Sequence, residues 1–174
     1  MAKIIMTCGR ICSGKSTYAE RMRKENNAVL LSIDEIMLAM FGQYVGEMHD
    51  EYVARTEKYL FGKSLEIIDS GINVVLDWGV WTKAERAVAR EFYASRGINY
   101  ELHYLDVPDS VWRERIAKRN LSVSEGRLDA YYIDENLAAK FGAIFEPPSD
   151  DEIDLRITVY RGENEHQNND DSRL

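Results

Sequence analysis

A three-layer α/β/α sandwich built on a five-stranded parallel sheet is the fold this sequence predicts, and three observations lead to it. Short apolar runs of strand length recur along the chain, segments with helical periodicity separate them, and several runs stop at a glycine or an acidic residue. Strands that alternate with helices need crossover connections, which make the sheet parallel and cover both its faces.

The elements follow in order. Ile4 to Cys8 is a continuous apolar run ending in glycine, the pattern of a strand buried on both faces, and residues 16–24 read as the helix after it. Residues 28–33 form the next strand and stop at Asp34-Glu35; residues 72–76 form the third and stop at Asp77-Trp78-Gly79. Between them, apolar positions 52, 53, 59, 60 and 67 predict one long helix over 47–70, closed near Gly71. A helix over 83–96 closes at Gly97, an alternating strand spans 100–107, and a strongly basic helix spans 110–120. Residues 134–145 are helical until Pro147-Pro148 breaks the pattern, and 155–160 form the last strand. Residues 1–161 are expected to make a single domain, and the polar segment 162–174, which lacks apolar periodicity, a mobile tail.

Bulk properties narrow the function. A chain of 174 residues is long enough to bury roughly 70% of its unfolded surface, so it needs no staples. No apolar run approaches the roughly 18 residues of a membrane span, and no signal-peptide pattern precedes the first glycines, which predicts a cytoplasmic protein without a membrane partner. The net charge of −8 disfavours gripping a long phosphate backbone, so nucleic acid is an unfavoured partner. Cys8 and Cys12 lack the further ligands of a zinc site and read as small packing residues.

The most specific pattern is Gly9-Arg10-Ile11-Cys12-Ser13-Gly14-Lys15-Ser16-Thr17, a match to G-x-x-x-x-G-K-[ST] between an expected strand and an expected helix. Glycines let such a loop curl until its N–H groups converge on phosphate oxygens. Lys15 would reach the β- and γ-phosphates, and the Ser16 hydroxyl would serve Mg²⁺. The cofactors implied are ATP and Mg²⁺. No Asn-Lys-x-Asp guanine reader occurs, and Asp77 is followed by Trp78 rather than the Glu of a motor ATPase. A P-loop kinase remains, in which the chain after the fourth strand lids the phosphates. Residues 111–127 suit that lid: Arg113, Arg115, Lys118, Arg119 and Arg127 face only Glu114 and Glu125. Arg115 and Arg119, four apart, share one helix face; a solvated basic helix is the alternative.

The P-loop, Leu31-Ser32-Ile33-Asp34-Glu35, Val75-Leu76-Asp77-Trp78-Gly79, and then Arg115 and Arg119 together resemble the ATP-binding P-loop kinases related to polynucleotide 5′-kinase, zeta toxin and chloramphenicol phosphotransferase. Tyr132-Ile133-Asp134-Glu135-Asn136 and Phe145-Glu146-Pro147-Pro148 resemble bacterial members known only as ATP-binding or AAA-type proteins. The resemblance covers most of residues 1–160 and implies that Asp34 is the general base. Position agrees, because Asp34 follows a strand expected near the P-loop strand, at the carboxyl edge where catalytic groups gather. Its alternative is the N-cap of a helix over 35–41. Asp77 could hold Mg²⁺ through water, touch the acceptor, or cap the next helix, while Arg86 reads as solvated.

One departure bears on the acceptor. Polynucleotide kinases with this pattern place an Arg three residues after the Asp to grip the acceptor's phosphate, and here Met37 stands there. His49, Asp50, Glu51 and Arg55 form a candidate acceptor edge. The sequence therefore points to an ATP-dependent phosphotransferase acting on a hydroxyl of a small-molecule acceptor. A nucleotide or nucleic-acid end kinase and a non-catalytic ATP-binding regulator are the alternatives.

Overall fold

The computed structural model describes residues 1–42, 45–128 and 130–158. Five strands, β1 (Lys3–Cys8), β2 (Ala28–Ser32), β3 (Asn73–Asp77), β4 (Asn99–Asp106) and β5 (Leu155–Thr158), pair in the order β2-β3-β1-β4-β5, every pair parallel. Helices α1 (Lys15–Glu25), α2 (Ile33–Phe41), α3 (His49–Asp69), α4 (Lys83–Ala94), α5 (Asp109–Ser124) and α6 (Glu135–Ile144) fill the connections. The expected α/β/α sandwich is the fold observed. The tail 162–174 and the end of the last strand at 159–160 lie outside the described residues.

Alternation along β1 sorts the two faces. Ile4, Met6 and Cys8 point into a core with Val74, Leu76, Leu102 and Tyr104, closed by Leu60 of α3 and by Ala89 and Tyr93 of α4. Ile5 points the other way, into a smaller core with Tyr18, Ala19 and Met22 of α1, Val75 and Leu105. In β1 and β3 nearly every side chain is thus buried whichever face it takes, which is why these two strands read as unbroken apolar runs.

Three expectations about charged residues are corrected. The helix after β2 begins at Ile33, and Ser32 caps it by accepting from the Glu35 amide at 3.3 Å. Asp34 therefore lies in the first turn and is not the cap. Likewise α4 is capped by Thr82 in a capping box with Glu85, so Asp77 caps nothing. Arg86, in the first turn of α4, also differs from expectation: it is only 2% exposed. Its guanidinium pairs with Glu152 at 3.0 Å and donates to the carbonyls of Val80, Trp81 and Glu146.

The Arg86 cluster joins the loop after β3 to the turn before β5, with Arg90 adding a 3.0 Å pair to Asp154. A buried charge is tolerable only when its donors are satisfied, and here two carbonyls of the preceding loop and partners 60 or more residues away satisfy them. One smaller shift completes the comparison. The long helix is preceded by a short 3-10 turn, Gly46–Met48, so α3 proper starts at His49. β3 is hydrogen-bonded to the P-loop strand and β2 lies next to β3, so β2 is near the P-loop strand with one strand between them. Among the described residues no helix is long and apolar enough to cross a membrane.

Arg86 holds the Glu152 carboxyl down at about 2, against an ordinary value of 4.5. A depressed folded-state value gives stability that is complete above about pH 4.5 and is lost as pH falls towards 2. Arg86→Met should cost about 3–5 kcal/mol, on the order of 10 °C in Tm at neutral pH. Thermal melts should also show the advantage of wild type over Glu152→Gln shrinking as pH drops below 4.5. Equal melting temperatures for wild type and both variants at pH 7 would show that the pair holds nothing together.

Candidate active site

The chain leaves β1 at Cys8 and enters α1 at Lys15, so six residues must reverse its course. Gly9 makes the first bend: a Cβ there would lie 2.7 Å from Ser13 Oγ and 2.9 Å from the Leu105 carbonyl. Cys12 takes a left-handed conformation at φ 59°, and Gly14, at φ 97°, starts the helix. No side chain caps α1 and its first turn holds no acid, so the leading N–H groups of the helix keep their capacity for an anion. Lys15 folds back over the loop, its ammonium donating to the carbonyls of Gly9 at 2.9 Å and Arg10 at 3.0 Å. Burial lowers the Lys15 pKa, while Asp77, Cys8 and Asp34 oppose the shift. An ammonium partly stripped of water gains most from a polyanion placed beside it.

Two carboxylates stand above this loop at the carboxyl edge of the sheet. Ser32 and Asp77 are register partners across β2 and β3, so Asp34, two residues on, rises beside Asp77. Asp77 is 6% exposed, and burial raises its pKa, opposed by the Ser16 hydroxyl and Lys15. Asp34's charge raises it further, while Thr7 donates to the same carboxylate at 3.4 Å. Asp34 itself is exposed to the cleft. The oxygen set of Ser16 and Asp77 fits Mg²⁺, which takes few protein ligands and fills its shell with water and phosphate. Among the described residues no group of three or more His, Cys, Asp or Glu gathers at one point.

Helix α5 covers the loop from the opposite side. Trp112 Nε1 donates to the Ile11 carbonyl at 2.6 Å, and Arg115 Nη1 donates to the Ser13 carbonyl at 2.7 Å. Arg10 stacks 4.8 Å over the Trp112 ring and pairs with Asp109 at 2.6 Å. Arg119, one turn beyond Arg115, reaches between Cys12, whose thiol pKa burial raises against the opposing charge of Arg119, and the Tyr131 carbonyl at 3.2 Å. Both arginines are half-buried on the inner face, whereas Arg113 and Lys118 are exposed. Arg127 is ion-paired with Glu125 on the exposed surface and does not join them.

The structure thus gathers Gly9, Arg10, Ile11, Cys12, Ser13, Gly14, Lys15, Ser16 and Thr17 on one loop, with Asp34 and Asp77 on one side and Arg115 and Arg119 on the other. Cys8 is a buried packing residue, its thiol pushed up to about 11 by burial, as expected. Met37 is fully buried and accepts from Thr56 Oγ1 through sulfur, so that position belongs to the core. Of the expected acceptor edge, His49 turns inward against Tyr131, ring centroids 5.9 Å apart, while Arg55 is paired with Glu51. Sequence reasoning missed Trp112 and Tyr131. An aromatic at the start of a lid helix gives no signal of its own, because packing explains it equally well.

Fold and site together define a P-loop protein of the kinase type. Residues 4–139 match the model of an AAA domain family, and the chain belongs to that family. No curated protein matches it by sequence. Among solved structures it is similar to an unliganded sugar kinase from Janibacter sp. HTCC2649, at 19% identity and TM-score 0.62, covering 91% of this chain and 85% of that one. It is also similar to Mycobacterium tuberculosis APS kinase in complex with AMPPNP and APS, at 23% identity and TM-score 0.62, covering 92% and 90%. A gluconokinase from Sinorhizobium meliloti 1021 shares the fold at 16% identity and TM-score 0.59, covering 91% and 83%.

Because Arg115 fixes the Ser13 carbonyl, Arg115→Ala should let the loop relax and weaken Mg-ATP binding by about tenfold or more, the worth of a charge-assisted hydrogen bond. Calorimetric titration of the folded variant reads this directly. An unchanged Kd would show that the Arg115 contact with the Ser13 carbonyl does not shape the loop for Mg-ATP.

Proposed function

We propose that this chain transfers the γ-phosphoryl group of Mg-ATP to a hydroxyl of a small molecule. The observation that carries the reading is the placement of a solvent-accessible carboxylate, Asp34, opposite a half-buried pair of arginines, with the triphosphate loop between them. A passive binder needs the loop but has no use for a carboxylate on the acceptor side, where it can take a proton from an attacking hydroxyl. Similarity in fold to a sugar kinase, an APS kinase and a gluconokinase accords with phosphoryl transfer and leaves the acceptor open.

Each group has a role in the transfer. The P-loop amides and Lys15 hold the β- and γ-phosphates in place, while Ser16 and Asp77 would hold Mg²⁺, which would supply charge neutralisation to the phosphate oxygens. Asp34 accepts the proton of the acceptor hydroxyl as its oxygen bonds to the γ-phosphorus and the bond to the ADP oxygen breaks. Exposure lets Asp34 then release that proton to water, so ATP and alcohol become ADP, phosphate ester and a proton. Arg115 and Arg119 stabilise the charge spread over the transferring group, and by closing over the loop they exclude water as a competing acceptor. Met37 in the core and the net charge of −8 both weigh against a nucleic-acid end as acceptor. The absence of a membrane-crossing helix among the described residues accords with a cytoplasmic enzyme.

Incubation with Mg-ATP and a metabolite extract, read by mass spectrometry, should reveal a species gaining one phosphate. With that acceptor in hand, Asp34→Asn should keep Mg-ATP binding near wild type while transfer falls by roughly 10² to 10⁴. Ser32 rather than Asp34 caps α2, so the substitution leaves the helix start intact. Near-normal transfer by Asp34→Asn would remove it as the base; lost Mg-ATP binding would move it to the metal site.

A further inference from the structure

Tyr131 lies between α5 and α6, and its phenol oxygen is buried from solvent without a hydrogen-bond partner among the described residues. Burying a hydroxyl unpaired is unfavourable, so such a group in a native cleft calls for an account. The other buried unpaired atoms, Ser13 Oγ and the indole nitrogens of Trp78 and Trp81, belong to the P-loop turn and to the loop packed on Gly79. Tyr131 differs in where it faces. The charge of Asp34 acts on its phenol, and the His49 ring meets its face edge-on at 87°.

The surrounding structure fixes the ring. Arg119 binds the Tyr131 carbonyl at 3.2 Å, and two residues on, the buried Ile133 exchanges hydrogen bonds of 2.9 and 2.6 Å with the Asn120 side chain. The lid helix therefore carries Tyr131 to the acceptor side of the cleft, across from Asp34. Burial and Asp34 both keep the phenol protonated, hence a donor. The starts of α2 and α3, from which Asp34 and His49 reach Tyr131, and the turn before α3 carry Asp34, Glu35, Glu47, Asp50 and Glu51, and Arg55 is paired with Glu51. An anionic acceptor would meet like charge there.

We propose that the Tyr131 hydroxyl donates to a second oxygen of the acceptor, next to the hydroxyl that Asp34 deprotonates, and that the acceptor is an uncharged polyhydroxylated molecule of the sugar or polyol class. This rests on the phosphotransferase reading above. A site with a reserved donor discriminates against compounds lacking its partner oxygen, because the donor is then left unpaired.

The test measures transfer from [γ-³²P]ATP to D-ribose, D-glucose, glycerol and myo-inositol, to matched monodeoxy compounds, and to AMP and adenylyl sulfate as anionic acceptors. Wild type and Tyr131→Phe are compared, since Phe keeps the ring against His49 and removes only the hydroxyl. Wild type should label a neutral polyol, and Tyr131→Phe should lose about tenfold in kcat/KM, mostly through KM, with an unchanged Kd for Mg-ATP. On the compound lacking the adjacent hydroxyl, the two proteins should perform alike. An equal loss on both compounds, no loss on either, or labelling confined to the anionic acceptors would overturn the proposal while leaving phosphoryl transfer standing. If nothing is labelled although Mg-ATP binds, the transfer reading fails; titrating the Mg-ADP-loaded protein with the same polyols then decides Tyr131. Polyol binding weakened by Tyr131→Phe would uphold its role, and absence of binding would overturn it.

Discussion

The reversal of the chain between Cys8 and Lys15 is the constraint on which the rest of the site depends. Gly9 has no room for a side chain between Ser13 and Leu105, Cys12 is held left-handed, and Lys15 closes the loop on its own carbonyls. A loop so bent turns its amides inward, and that is unfavourable unless something braces the outward carbonyls. Trp112 and Arg115 do this, taking the Ile11 and Ser13 carbonyls at 2.6 and 2.7 Å. The lid helix is therefore part of the phosphate site and not merely a cover for it.

Sheet order sets the division of labour between the carboxylates. With β3 beside β1, Asp77 is the acid close to Lys15 and Ser16, and burial there suits a metal-facing role. Asp34, one strand further out and raised a step above its Ser32–Asp77 register pair, remains exposed towards the acceptor. Had β2 been the immediate neighbour, the two roles would have been exchanged. Strand order is a tertiary fact that local sequence does not carry, which is why both residues were recognisable as candidates while the division of roles between them was not.

Much of the fold and of the nucleotide side was legible for a different reason: its signals are local. Nine consecutive residues carry the loop, apolar runs mark strands buried on both faces, and the Arg115–Arg119 spacing puts both on one face of α5. The misread residues owe their roles to distant partners. Arg86 looks like a surface arginine until Glu146 and Glu152, 60 and 66 residues on, are folded around it. Tyr131 acquires meaning only when α5 delivers its loop opposite Asp34 and His49. Ser32 and Thr82 displaced the two aspartates as caps because a helix start shifted by two residues in one case and a capping box formed in the other.

Titration calorimetry of Lys15→Ala with Mg-ATP asks whether this loop binds a nucleoside triphosphate through Lys15. The ammonium's protein partners are two loop carbonyls, and an alanine leaves the sheet and α1 their packing, so circular dichroism and melting should stay close to wild type. The account predicts a folded variant that has lost most of its affinity for Mg-ATP. A folded Lys15→Ala protein that binds Mg-ATP as tightly as wild type would contradict it.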